Sequence, residues 1–424
     1  MESSSLSIGR AGFMPSLIRT DGKAFRFGCL LAALGVYALR GSPTPDNPGW
    51  PELLTGSLLL MVVGVSGARH AVNISLFTHG RLWQSWGKIL LLYGLSVPLL
   101  MAAIQGSDAG QILRDVLPFL FLLLPVFLID HFEARPRHAS YLLVAVIILG
   151  FVFALRSLLP FYPFSLLNAG LFPASEELFY FANAPTVLFA ALILLGLSGQ
   201  KIMKASHSQG MSAAAGLFVL GLIPLLAMAA SSQRATMGAV LLYVVLLSLV
   251  AVWKKPAKAV KLLIVLSLVF WAVFPALAEV ADILSRKTSL VGLNMRTQEA
   301  LAVWDAVSGN PGYLLFGLGW GGSFHSPAVG GLSVNFTHSL LTSMLLKTGL
   351  VGLVLASLYL FSLVNLSGRL LFRHPVLALA LAAPVLIDIF LYASFKSLDF
   401  GLILLLIPTY KLYLEGWEDP KRHA

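Results

Sequence analysis

Three short stretches of this chain carry side-chain types that could do chemistry. In the first, Ser231-Ser232-Gln233-Arg234 joins two apolar runs with almost no connecting length. Arg234 is therefore held at a membrane boundary. A guanidinium there can snorkel to water, or it can offer a forked, permanently charged donor set to a phosphate. In the second stretch, Arg296 is followed by Trp304, then Asn310-Pro311 and Phe316-Gly317-Leu318-Gly319. The spacing predicts a helix over Leu293–Val307, with positions 296, 300 and 304 on one face. That face presents a cation and an indole together, toward a site or toward the membrane surface. The glycines allow a tight turn or close approach to a ligand. They do not form a nucleotide loop, because no Gly-x-Gly-x-x-Gly follows a strand and no Gly-Lys-Ser/Thr is present. The third stretch is Phe336-Thr337-His338-Ser339-Leu340-Leu341, followed by Lys347-Thr348-Gly349 and Gly352. It puts His338 where a long loop re-enters helix. An imidazole there can take a proton from a hydroxyl; on these residues alone, a capping or interfacial histidine is the simpler reading.

The elements that must position these residues are membrane helices. The 424 residues are 58% hydrophobic and 11% charged, with a mean hydropathy of +0.85. A soluble domain carries about 25% charged residues, so this chain needs lipid as solvent. Crossing hydrocarbon takes about 20 apolar residues. Twelve spans are expected, near 25–40, 50–68, 87–104, 112–132, 139–159, 183–199, 212–230, 236–253, 258–278, 349–368, 375–394 and 398–413. The first of them reads as an uncleaved span rather than a signal peptide. The expected fold is all-α. It divides into helices 1–9 over residues 1–278, a partly helical loop over 279–348, and helices 10–12 with a short tail over 349–424.

The net charge of +10 does not indicate nucleic acid, because the basic residues fall at the ends of apolar runs. With the N-terminus in the cytoplasm, about 20 of the 29 Lys and Arg fall in cytoplasmic loops, as positive-inside requires. The other nine, Arg40, Arg114, Arg156, Arg234, Arg286, Lys287, Arg296, Lys347 and Lys396, fall at or near the opposite, periplasmic face. Positive-inside disfavours them there, so topological drift explains a few and others have a claim on function. The 279–337 loop opens on this face, and a loop of that length is usually functional. The single cysteine, Cys29, excludes an internal disulfide and argues against a thiolate metal site.

Taken in order, the Arg234 hairpin, Arg296-x7-Trp304, Asn310-Pro311, Phe316-Gly-x-Gly319 and His338-Ser-x-Leu with Gly349-x-x-Gly352 resemble the O-antigen ligase and polymerase superfamily. The motifs span roughly 231–353, and the layout of twelve spans with one long late periplasmic loop covers the rest. The resemblance implies a metal-independent inverting glycosyltransferase of the GT-C type in the bacterial inner membrane, without a cofactor. Its donor would be a glycan on undecaprenyl diphosphate, among membrane lipids. Its acceptor would be lipid A–core oligosaccharide in a ligase, another lipid-linked repeat in a polymerase, or a protein. The short tail after the last span disfavours the protein acceptor. By the same resemblance, Arg234 and Arg296 would engage the donor diphosphate, His338 would be essential and act as base, and Asp388 would be the acidic residue of a late span. Arg156 and Lys396 are further phosphate candidates; Glu176, Glu177 and His325 read as solvated or structural. No Asp-x-Asp pair on the periplasmic side is available to hold a divalent cation. A transporter of lipid-linked glycan is the contrasting reading. It would place ionisable residues at mid-membrane rather than at one face.

Overall fold

The computed structural model describes residues 22–43, 49–73, 82–161, 163–167, 178–205, 208–231, 233–268, 271 and 295–418. Glu176, Glu177, Arg286, Lys287 and most of the second half of the ninth expected span lie outside these residues. The chain is an all-α polytopic membrane protein. Backbone amides have no water to bond in hydrocarbon, so apolar stretches satisfy them internally as helices.

The first half comprises α1 (Gly22–Arg40), α2 (Trp50–Val72), α3 (Leu82–Gly94), α4 (Val97–Gln105), α5 (Ala109–Leu122), α6 (Leu124–Ala134), α7 (His138–Leu158) and a short α8 (Leu178–Ala182). Next come α9 (Pro185–Lys204), α10 (Ser208–Ala230), α11 (Arg234–Lys254) and α12 (256–268). After the long loop's own helices, α13 (Arg296–Ser308) and α14 (Pro311–Phe316), the chain closes with α15 (Leu340–Arg373), α16 (Pro375–Phe390) and α17 (Leu398–Glu418). Among the described residues, eight stretches of helix are long and apolar enough to cross a membrane, counting α3 with α4 and α5 with α6 as one each. Each expected span coincides, at least in part, with a described helix.

Among the described residues, two spans are split into separate helices at a proline. Pro98 and Pro125 stand in the first turns of α4 and α6, where a missing N–H costs nothing, and each preceding helix ends before them. The interior is built around α9 and α17. Residues 185–194 of α9 and 398–410 of α17 are continuously buried, although most other helices keep a lipid-facing side. Close approach is made with small residues: a Cβ on Gly150 of α7 would overlap the Thr186 carbonyl of α9.

Two details differ from the sequence expectation. The tenth span was expected to begin near 349, but α15 begins at Leu340 and kinks at Gly349 (φ 66°, ψ −168°). The loop also holds a small antiparallel hairpin, β1 (Phe324–Ser326) with β2 (Leu332–Val334), in register Phe324 to Val334.

Candidate active site

The kink in α15 fixes the loop. Breaking the helix at Gly349 takes intrahelical donors from the carbonyls just before it. Three outside donors replace them: Leu318 N–H bonds the Leu346 carbonyl (2.8 Å), Gly319 N–H the Lys347 carbonyl (3.1 Å) and the Tyr93 hydroxyl the Thr348 carbonyl (2.7 Å). Backbone meets backbone here. A Cβ on Gly317 (φ +78°) would lie 2.5 Å from the Lys347 carbonyl oxygen, and one on Gly349 would lie 2.5 Å from the Gly317 nitrogen. The glycines of Phe316-Gly-Leu-Gly319 therefore approach another helix, not an open ligand space. Asn310 is likewise structural, its side chain accepting from Gly312 N–H (2.7 Å) to cap α14.

Beyond the glycines, Trp320 donates from Nε1 to the Gly94 carbonyl (2.7 Å). Asp115 of α5 ties the same corner together. It accepts from Gly321 N–H (2.8 Å) and pairs with Lys347 (2.6 Å) and Lys396 (3.5 Å), while Lys347 also donates to the Gly322 carbonyl (2.6 Å). Asp115, Phe119, Trp320, Leu340, Met344 and Lys396 line a cleft beside the first turn of α15.

α13 lies on this frame. Its buried face is Glu299, Val303 and Val307, one residue per turn, and the two valines pack with Phe324 and Leu346. Trp304 lies off that buried face and is 44% exposed. Arg296 instead turns toward Glu299, its Nη1 3.9 Å from Oε2. Glu299 is 2% exposed and holds the loop's end: Oε1 accepts from His338 Nδ1 (2.8 Å) and Ser326 Oγ (3.3 Å), and Oε2 from the His338 backbone N–H (3.2 Å). Burial alone would raise this carboxyl's pKa, but the His338 hydrogen bonds and charge, with Arg296 nearby, bring it below its ordinary value. Burial lowers the pKa of Arg296, against the opposing pull of Glu299 and Tyr392.

His338 stands where the sequence put it, one residue before Ser339, whose side chain accepts from Thr342 N–H (3.2 Å) to cap α15. Phe336 meets its ring edge-on, with centroids 5.7 Å apart. Arg234 is the first residue of α11, partly buried at the end of a three-residue connection. It and Arg296 both act electrostatically on Tyr392, in the turn after α16, and Ala235 hydrogen-bonds the Tyr392 hydroxyl through its backbone. Asp388 adjoins the same tyrosine from α16. It is buried, with Oδ1 accepting from Ser394 Oγ (2.6 Å) and Oδ2 without a hydrogen-bond partner among the described residues.

Arg234, Arg296, His338 and Asp388 thus come to one region from two helix starts, a loop end and the last turn of α16. Lys396 belongs to the Asp115 corner. Arg156 is engaged elsewhere, donating to the Ala38 and Gly41 carbonyls (both 2.8 Å) at the end of α1 and lying over the Phe181 ring. Sequence reasoning missed Glu299, Tyr392 and Asp115. Glu299 carried one signal, its position three residues after Arg296 on the same helix. Chemically, the group offers an imidazole held by a carboxylate, with two guanidinium groups acting electrostatically on one phenol. No protein-family model matches the chain, and no curated protein matches its sequence.

Proposed function

We propose that this chain is an inverting glycosyltransferase of the O-antigen ligase type, moving a glycan from undecaprenyl diphosphate to lipid A–core oligosaccharide at the periplasmic face of the inner membrane. The observation that carries this reading is the direct linkage of Arg296, Glu299 and His338, with Arg234 acting on the same Tyr392 as Arg296. The motif resemblance supplies the substrates. In this reaction the anomeric carbon–oxygen bond to the diphosphate breaks as the acceptor hydroxyl oxygen attacks from the opposite face. The electron pair leaves on the diphosphate, where Arg234 and Arg296 offset the growing charge. The hydroxyl proton passes to His338. A preorganised donor of this kind is worth about 10²–10³ in rate.

The test is purified protein in lipid with undecaprenyl-diphosphate glycan and lipid A–core, in the presence of chelator. Conjugate should form, and His338→Ala, Arg234→Ala and Arg296→Ala should each abolish it while the proteins remain monodisperse. Full activity in these variants would overturn the mechanism. Products built only from donor repeats would make the chain a polymerase, and movement of the donor across the bilayer without a new glycosidic bond would make it a transporter.

A further inference from the structure

We infer that Glu299 is the positioning residue for His338: it selects the imidazole tautomer whose Nε2 carries the free lone pair and aims that nitrogen at the acceptor. The inference rests on the reading of His338 as the base. An ionised carboxylate only accepts hydrogen bonds. Its 2.8 Å contact with Nδ1 therefore requires the proton on Nδ1, and the neutral ring then has its basic lone pair on Nε2. No described residue takes a hydrogen bond at Nε2 of this ring, which is 23% exposed.

The grip has two points. Oε1 holds the ring and Oε2 holds the backbone N–H of the same residue at 3.2 Å, so rotation about the side chain and displacement of the loop are opposed together. Ser326 Oγ on Oε1 and the charge of Arg296 near Oε2 keep the carboxylate oriented. As a proton arrives on Nε2 during attack, the ring becomes a cation, and the buried carboxylate is already in place to stabilise it. Glu299 does this through His338 and need not touch a substrate.

Glu299→Gln is nearly isosteric and separates positioning from mere packing. Its amide has one acceptor where the carboxylate has two. If the amide oxygen keeps the backbone N–H, the NH₂ must donate to Nδ1 and drive the proton to Nε2. The experiment uses full-length protein in lipid nanodiscs with ¹⁵N-labelled histidine, the His338 signals being assigned by their loss in His338→Gln. In the wild type, the neutral His338 ring should carry its proton on Nδ1. In Glu299→Gln a substantial Nε2–H population should appear, kcat should fall about 10²–10⁴-fold, and KM for the donor should change less than about threefold. A wild-type ring protonated on Nε2 would overturn the inference. So would a Glu299→Gln variant with unchanged tautomer, with kcat within about threefold of wild type, or with a loss confined to KM. The tautomer is read without substrate. A wild type that shows the expected ring state but makes no glycan conjugate would therefore sink the proposed reaction and leave the Glu299–His338 assignment standing.

Discussion

Gly349→Ala tests whether the kink in α15 and the glycine loop are one structural unit. Two costs add. The backbone at φ 66°, ψ −168° lies in a region open to glycine almost alone, which costs an alanine about 1–3 kcal/mol. The new Cβ would also stand 2.5 Å from the Gly317 nitrogen and closer still to the Leu315 carbonyl, roughly an ångström inside ordinary contact. Neither neighbour is the tip of a flexible side chain, so relief requires moving the 315–319 backbone. Overpacking of this kind adds about 1–3 kcal/mol. The total is about 4 kcal/mol.

Gly106→Ala is the matched control. It has the same sign of φ (+66°) at the end of α4, but a Cβ there meets nothing within 4 Å. It should cost about 1–2 kcal/mol, the left-handed penalty alone. Both are read as unfolding free energies from SDS titrations of detergent-solubilised protein, followed by circular dichroism. If Gly349→Ala lies within about 1 kcal/mol of Gly106→Ala, the backbone collision is not limiting and the loop is free to shift.

Three further outcomes follow from the same contacts. The pKa of Glu299 is lower in the folded protein than its ordinary value of 4.5, so on acidification the unfolded chain takes up that proton first. The stability advantage of wild type over Glu299→Gln should be complete above about pH 4.5 and shrink as pH falls through the lower folded value, in SDS midpoints measured across that range. Lys347 and Asp115 are buried partners at 2.6 Å, so Lys347→Met or Asp115→Asn alone should cost about 3–5 kcal/mol, and the double variant less than the sum. Lys396, 3.5 Å from Asp115, limits how fully the double variant recovers. Arg156→Met removes two carbonyl bonds and a stacking contact, so it should lower stability while leaving donor KM unchanged, whereas Arg234→Ala and Arg296→Ala should abolish conjugate formation.

The helices were legible because hydrocarbon leaves a chain little choice, and their ends were not. α15 shows why. Its first turns hold Thr342, Ser343, Lys347 and Thr348, so the apolar run begins only at Gly349. Three of these are tolerable inside the protein because they find partners: Lys347 has Asp115, Thr348 Oγ1 donates to the Met344 carbonyl (2.6 Å), and Thr342 bonds Ser339. Such compensation is tertiary and leaves no mark in local hydropathy. The same limit applies to the site. Arg234, Arg296 and His338 could be singled out because their types are unusual where they stand. Glu299 could not, because an acid in the first turn of a helix is the ordinary complement of its dipole. Its partner lies 39 residues away in sequence.

Five of the nine cations that positive-inside disfavours have surroundings that can be compared. Lys347 and Lys396 share Asp115, and that group closes on itself around the glycine loop. Arg156 spends its donors on the end of α1. Arg234 and Arg296 both act electrostatically on Tyr392, and the nearest carboxylate to Arg296, at 3.9 Å, is already committed to His338 by two shorter bonds. A guanidinium near a carboxylate that is occupied elsewhere keeps most of its capacity for a second anion. Two guanidinium groups thus act on Tyr392, and one of them, Arg296, adjoins through Glu299 an imidazole whose Nε2 has no partner among the described residues. A site that must draw charge off a bond to phosphate and a proton off a hydroxyl needs those two properties side by side.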